Sequence, residues 1–392
     1  MEEKPKHGLN NIHKNEAIAS FPVYRARNTS EKALIRRIPM LRKIPYEPAE
    51  LKIVGEIPSR FGGPPTPVRN APVSGRENLQ ALYQSKQPYW LPTSSSEQGT
   101  ISVPLYNNLL GRGGPDGTVD AFGLEWVYVE SAMGSIVHPG TPHVENANEL
   151  KDKVVYPDLD SWDWAGAAEE TKVDMTRAGV ISLVNGFWFE RLISFMDFAP
   201  AAVALVDEDQ QDAVKSFFED MTDFAIKVVD KFLQYWPALD GINIHDDWGA
   251  QKNAFFSDEV ARELFLPYMK ELTGHVHSKG RFCTLHSCGN IEKKVQIFIE
   301  GGFDQWDPQT MNDTHKLYED FGDQIVISVI PEVFDPETTS EDEQRQRARD
   351  HVDRFVQPGK PSMLGVYGNW ALQAPAFANE LYEYSRKKYL SF

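Results

Sequence analysis

Beyond residue 92 the chain alternates short apolar runs with longer amphipathic ones. VISLV (180–184), GINIH (241–245), RFCTLH (281–286), FDQWD (303–307), QIVISVI (324–330) and SMLGVYG (362–368) predict strands. Between them, apolar residues recur at helical spacing. Gln210–Trp236 places Val214, Phe217, Phe218, Met221, Phe224 and Val228 on one stripe. Ser257 predicts the cap of a helix to Lys279, with Asp258 and Glu259 in its first turn. Further helices are predicted over Glu190–Phe198, Asn290–Glu300, Asp313–Phe321, Glu341–Phe355 and Pro375–Tyr389. Such alternation implies a parallel sheet. At this length, and without a GxGxxG or P-loop motif, it favours an α/β fold of the single (β/α)8 barrel type over an open nucleotide-binding sheet.

The stretch before the alternation reads differently. Residues 1–73 form an N-terminal extension, and 74–392 the barrel. SEKALIRRIPMLRK reads as a basic helical piece. In the run that follows, Gly62, Gly63, Pro64, Pro65 and Pro67 argue against regular structure. Ser74–Lys86 predicts a capped helix, with Ser74 and Glu77 as a capping box, and PYWLP (88–92) an extended segment.

Charge and cysteine usage narrow the setting. The net charge of −17 argues against nucleic acid or an anionic membrane as partner. Residues 1–75 nevertheless hold 13 Lys and Arg against 7 Asp and Glu, a basic arm ahead of an acidic body. Such an arm is either a partner-docking segment or, more commonly, a strap on its own domain. No apolar run is long enough to span a bilayer, and the N-terminus lacks the apolar stretch of a secretory signal. Two cysteines five apart, Cys283 and Cys288, suit a reducing cytoplasm better than a disulfide.

In a (β/α)8 barrel the active site lies at the C-terminal strand ends. IHDDWGAQ follows one strand. Side-chain alternation puts His245 and Asp247 on one side, and Asp246 and Trp248 on the other, with Gln251 beyond. One of the two carboxylates therefore faces the mouth. The other caps a helix or pairs with an arginine. LHSCGNI follows the next strand, with His286 and Cys288 on one face and Asn290 placed to cap the next helix. Imidazole and thiolate together suit zinc, but a lone H-x-C equally fits a buried histidine beside an inert cysteine. Cys283 faces the core. IPEVFD offers Glu332 and Asp335 as an oxygen ligand, an acid or mere solvated carboxylates; GVYGNW offers Tyr367, Asn369 and Trp370. Trp90, Phe187, Trp188, Phe189 and Arg191 would give an aromatic mouth for a flat ligand, if they are not core.

These residues carry a family likeness. PYWLP, FGLEWVYVES, YPDLDSWDW, FERLISFMDF, DGINIHDDWGAQ and HSCGNI with IEGGFDQWDPQ together resemble the uroporphyrinogen decarboxylase superfamily, from about residue 74 to the C-terminus. The resemblance implies a single, often dimeric (β/α)8 barrel. Porphyrinogen decarboxylases carry arginines after the N-terminal Pro-Trp motif to hold carboxylates. Here that place reads PYWLPTSSSEQGT, without Arg or Lys. The likeness is therefore to the corrinoid-dependent methyltransferases, especially those resembling veratrol- or methoxyarene-type O-demethylase components. It implies a methyl donor, a cobamide carried by a partner corrinoid protein, and zinc. Coenzyme M-methylating relatives add a second Cys near the last strand, and SMLGVYGNW has none.

Aryl methyl ethers resist attack because the leaving oxygen is poor. They require a strong nucleophile, Co(I), and a Lewis or Brønsted acid at the oxygen. The expected acid or metal group is His286, Cys288, Asp247 and Glu332, with His245 as a further proton donor. Trp248, Trp188, Phe187 and Trp90 form the expected aromatic wall. Gln251, Asn290, Arg191 and Tyr367 complete the expected pocket. The competing readings are a decarboxylase or other lyase, if Arg60, Arg69, Arg76 or Arg191 converge on the pocket, and a non-catalytic ligand-binding barrel.

Overall fold

A computed structural model describes residues 42–59, 63–110, 118–130, 134–366 and 369–392. Most of the basic helical piece before residue 44, Arg60 and Tyr367 lie outside the described residues. The described residues belong to one unit.

Seven parallel strands run in one sheet. We number them β1 (Gln98–Ile101), β2 (Ala178–Leu183), β3 (Gly241–His245), β4 (Phe282–His286), β5 (Gln305–Trp306), β6 (Val326–Val329) and β7 (Ser362–Leu364). Each pairs with the next in sequence order. The extended PYWLP segment supplies the closing edge. Thr93 bridges Leu364 in parallel, the Leu364 N–H donates to the Pro92 carbonyl, and five residues later β1 starts against β2. The chain is a (β/α)8 barrel.

Outward strand residues such as Ile242, Ile244 and Trp306 share one buried core with Phe218 and Phe224 of the long helix and Phe265 of the helix after β3. The Gly75–Ser85 helix has the expected capping box and closes the N-terminal end of the barrel. Its Leu79 and Leu82 pack on Ala178, Val326 and Met363, and Tyr83 stacks on Phe282 with ring centroids 4.2 Å apart.

Several predicted elements change in detail. The helix from Ser257 contains a π-helical turn, Ala261–Phe265, just before Pro267. A widened turn is how a helix absorbs a residue without an N–H. The proline-rich run is not structureless: Thr66–Arg69 pairs antiparallel with Ile53–Ile57, with Pro67 opposite Glu56. In a two-stranded ribbon each strand has an open edge, where a missing N–H is tolerated. Strand β1 has no apolar signature, and the small antiparallel sheet of Thr118–Val119, Glu125–Val129 and Gly134–Val137 is not among the predicted strands, although EWVYV is rich in apolar residues. The described part of the N-terminal extension packs on the body. Buried Glu50 pairs with Arg386 at 3.2 Å and accepts from Tyr382 Oη at 2.7 Å. Among the described residues, no helix is long and apolar enough to cross a membrane.

His351 lies on the buried face of the Glu341–Phe355 helix, and its Nε2 has no hydrogen-bond partner among the described residues. Burial, then neighbouring His315 and Arg354, push its pKa down to about 3. The folded state thus refuses a proton that the unfolded chain accepts near 6.5. Stability from this site is complete above about pH 6.5 and is lost as pH falls toward about 3, at about 1.4 kcal/mol per pH unit. His351→Leu is expected to flatten the acid limb of a stability-versus-pH curve measured by denaturant unfolding.

Candidate active site at the barrel mouth

Strands β3 and β4 end in register, His245 opposite His286, with ring centroids 4.8 Å apart. Both side chains point into the barrel, above a polar chain one layer down. Ser182 Oγ donates to Asn243 Oδ1, and Asn243 Nδ2 donates to Thr284 Oγ1, each at 2.9 Å. Two residues beyond each histidine, alternation returns Asp247 and Cys288 to the same side. His286 Nε2 lies 3.3 Å from Cys288 Sγ, and His245 Nε2 lies 3.8 Å from Asp247 Oδ1. One ligand atom from each of His245, Asp247, His286 and Cys288 falls within 4.8 Å of all the others, and all four residues are half-buried.

The loops carrying these groups lock together. The Cys288 N–H donates to Asp247 Oδ1 at 2.7 Å, the Trp248 N–H to Ser287 Oγ at 3.1 Å, and the Asn290 N–H to the Ala250 carbonyl at 2.8 Å. Gly289 adopts φ +97°, and a Cβ there would overlap the Gly249 backbone. Only glycine permits both the turn and the contact. Gln309 bridges from the loop after β5. Its Oε1 accepts from the Gly289 N–H at 2.8 Å, and its Nε2 donates to Cys288 Sγ at 3.3 Å.

Asp246 turns the other way, as alternation required, and is 1% exposed. It accepts from the N–H groups of Phe189 (3.2 Å) and Glu190 (3.0 Å) and from Trp248 Nε1 (2.7 Å). Burial, then the charge of Glu190, raise its pKa to about 7. Burial, then His245, lower the pKa of His286, which favours the neutral imidazole a metal requires. Burial raises that of Asp307, beside His286 at the end of β5. Cys283, core-facing, has its thiol pushed up by burial.

Two imidazoles, a carboxylate and a thiol converging from adjacent strand ends form a zinc-type donor set. Glu190 Oε2 sits 2.7 Å from His245 Nδ1, the outer-shell contact that orients metal-binding histidines.

Other expected residues do not join this group. Glu332 is 81% exposed, 3.9 Å from Arg347, so the structure does not bring it to this group. Asp335 accepts from the Glu337 N–H in an exposed turn. The aromatic wall is also absent. Trp90 donates to Glu97, Trp188 to Thr222 and Trp248 to Asp246, and these indoles are buried with Phe187 and Phe189. Indoles whose N–H groups find buried partners were spent on the core. Arg191 is buried against Asp120 at 3.3 Å, Gln251 is exposed, and Asn290 makes its loop contact through its backbone rather than capping a helix. Asp307, Gln309 and Glu190 were missed. For Asp307 the signal was present, because FDQWD alternates Gln305 and Asp307 on one face. Glu190 and Gln309 lie in a helix and a loop, where spacing says nothing about what they reach.

No protein-family model matches the chain, and no curated protein does. Among solved structures it is similar to a methyltransferase from Methanosarcina mazei, with TM-score 0.54 and 15% identity over 81% of this chain and 99% of that one. At that identity the likeness is one of fold.

Gly289→Ala places a Cβ at positive φ against a backbone, a strain of about 1–3 kcal/mol. It is expected to lower the thermal unfolding midpoint and to weaken whatever zinc binding is measured for wild type. Gly274→Ala, on a helix where a Cβ meets nothing within 4 Å, is the control and should do neither.

Proposed function

We propose that this chain is a methyltransferase that moves a methyl group from a methoxylated substrate to the Co(I) corrinoid of a partner protein. The observation that carries this reading is the convergence of His245, Asp247, His286 and Cys288 at the open end of the barrel. The fold likeness to a methyltransferase and the motif resemblance of the HDDWG and HSCGN segments support it.

The arginines argue against a polycarboxylate substrate. Arg76 pairs with Asp240, 3.0 Å away, ahead of β3 at the opposite end of the barrel. Arg191 is held by Asp120, and Arg69 lies over the Tyr382 ring, 5.3 Å from its centroid. None of the three lines the mouth.

In the reaction the methyl C–O bond breaks, the Co(I) electron pair forms the new bond to carbon, and the departing oxygen takes a proton. Zinc, held by residues drawn from His245, Asp247, His286 and Cys288 so as to leave room for the substrate, would supply Lewis acidity toward that oxygen. Asp307, beside His286 at the end of β5, stands at the mouth as the proton source. Because the expected aromatic wall is core, the side chains named around the cluster are polar, with Ser182, Asn243 and Thr284 one layer below it. The donor panel therefore includes aliphatic methyl ethers beside methoxyarenes.

The test is methyl transfer with reduced corrinoid protein, followed by the absorbance change from Co(I) to methyl-Co(III). Wild type is expected to turn over at least one methoxylated donor. His286→Ala is expected to abolish transfer with an unchanged thermal midpoint. Transfer retained in that variant sinks the reading of the site.

A further inference from the structure

The geometry points to Glu190 as a positioning residue that sets the tautomer of His245, so that its Nε2 rather than its Nδ1 serves the donor cluster. This inference rests on the metal-site reading above and deepens it.

Glu190 does not come from either motif strand. It sits in the first turn of the Phe189–Met196 helix, after β2. That turn is tied to the end of β3, where Asp246 accepts the backbone N–H groups of both Phe189 and Glu190. Asp246 is in turn anchored by the Trp248 indole. The carboxylate facing away from the mouth therefore fixes where Glu190 begins. From there the side chain reaches back, and its Oε2 meets His245 Nδ1 at 2.7 Å. Both side chains are nearly enclosed, at 13% and 14% exposure, so the contact is weakly screened.

The chemistry of the pair decides the direction. A carboxylate accepts, so Nδ1 carries the proton and donates. The lone pair is then on Nε2, on the side of the ring that looks toward Asp247. A metal ion needs that lone pair, and the Glu190 bond raises its basicity. His286 reaches the cluster differently: its Nε2 lies 3.3 Å from Cys288 Sγ. The adjacent carboxylates of HDDWG thus divide the work. Asp247 faces the cluster, while Asp246 places the helix turn that orients the histidine before it.

The test compares wild type, Glu190→Ala and Glu190→Gln, first metal-free and then with zinc alone. Imidazole nitrogen NMR at mildly alkaline pH is expected to show His245 protonated at Nδ1 only in wild type. Glu190→Ala should mix the tautomers and weaken zinc binding, measured by chelator competition, by about 10- to 100-fold. Glu190→Gln keeps an acceptor oxygen and should restore the tautomer and most of the affinity. A purely structural role would lower the thermal midpoint without moving the tautomer. An unchanged tautomer in Glu190→Ala, or a doubly protonated His245 in wild type, overturns the inference. If wild type takes up no zinc, the metal-site reading fails, and the tautomer measurement alone decides the role of Glu190.

Discussion

The interlock between the loops after β3 and β4 organises everything at the barrel mouth. Four hydrogen bonds and one glycine–glycine contact hold IHDDWGA against HSCGN. Asp247 is both a member of the donor cluster and the acceptor for the Cys288 N–H. Moving either loop would displace two candidate ligands at once. The rigidity also explains why a half-buried group of four polar side chains can persist without collapsing onto other partners. The strand register sets the histidines, and the locked loops set the other two groups.

A second layer sits behind the first. Asp246 accepts three hydrogen bonds in a fully buried position, which offsets much of the cost of removing a carboxyl group from water. Its elevated pKa shows that this compensation is incomplete. A chain that keeps a poorly solvated acid beside a candidate site uses it for placement. What it places is the start of the helix that carries Glu190. The aromatic residues that suggested a flat ligand serve this layer instead. Trp248 braces Asp246, and the neighbouring rings fill the space between β2, β3 and the helices outside them.

Much of the fold could be read directly from the chain. GINIH matched its strand residue for residue, and the long stripe from Gln210 matched its helix to within a residue at each end. Strand β1 was invisible because QGTI has no apolar rhythm. It is a strand because β2 offers it an edge to pair with. The placement of Glu332 away from the cluster has a related cause. Ending a barrel strand is not enough, since the loop that follows β6 carries its carboxylate outward to Arg347.

Local rules reach as far as a strand and one turn beyond it. They separated Asp246 from Asp247, paired His245 with Asp247 and His286 with Cys288, and sent Cys283 to the core, because side-chain alternation is a property of a single strand. They could not say that the two pairs would meet, because that depends on the register between β3 and β4. Nor could they bring in Glu190, Asp307 and Gln309 from a separate helix turn, strand end and loop. Which aromatics would be core was equally out of reach, since burial depends on what packs against a side chain. The composition of the cluster follows from short-range geometry along each strand. Its assembly follows from barrel closure, which sets residues 41 apart, Asp247 and Cys288, within hydrogen-bonding distance.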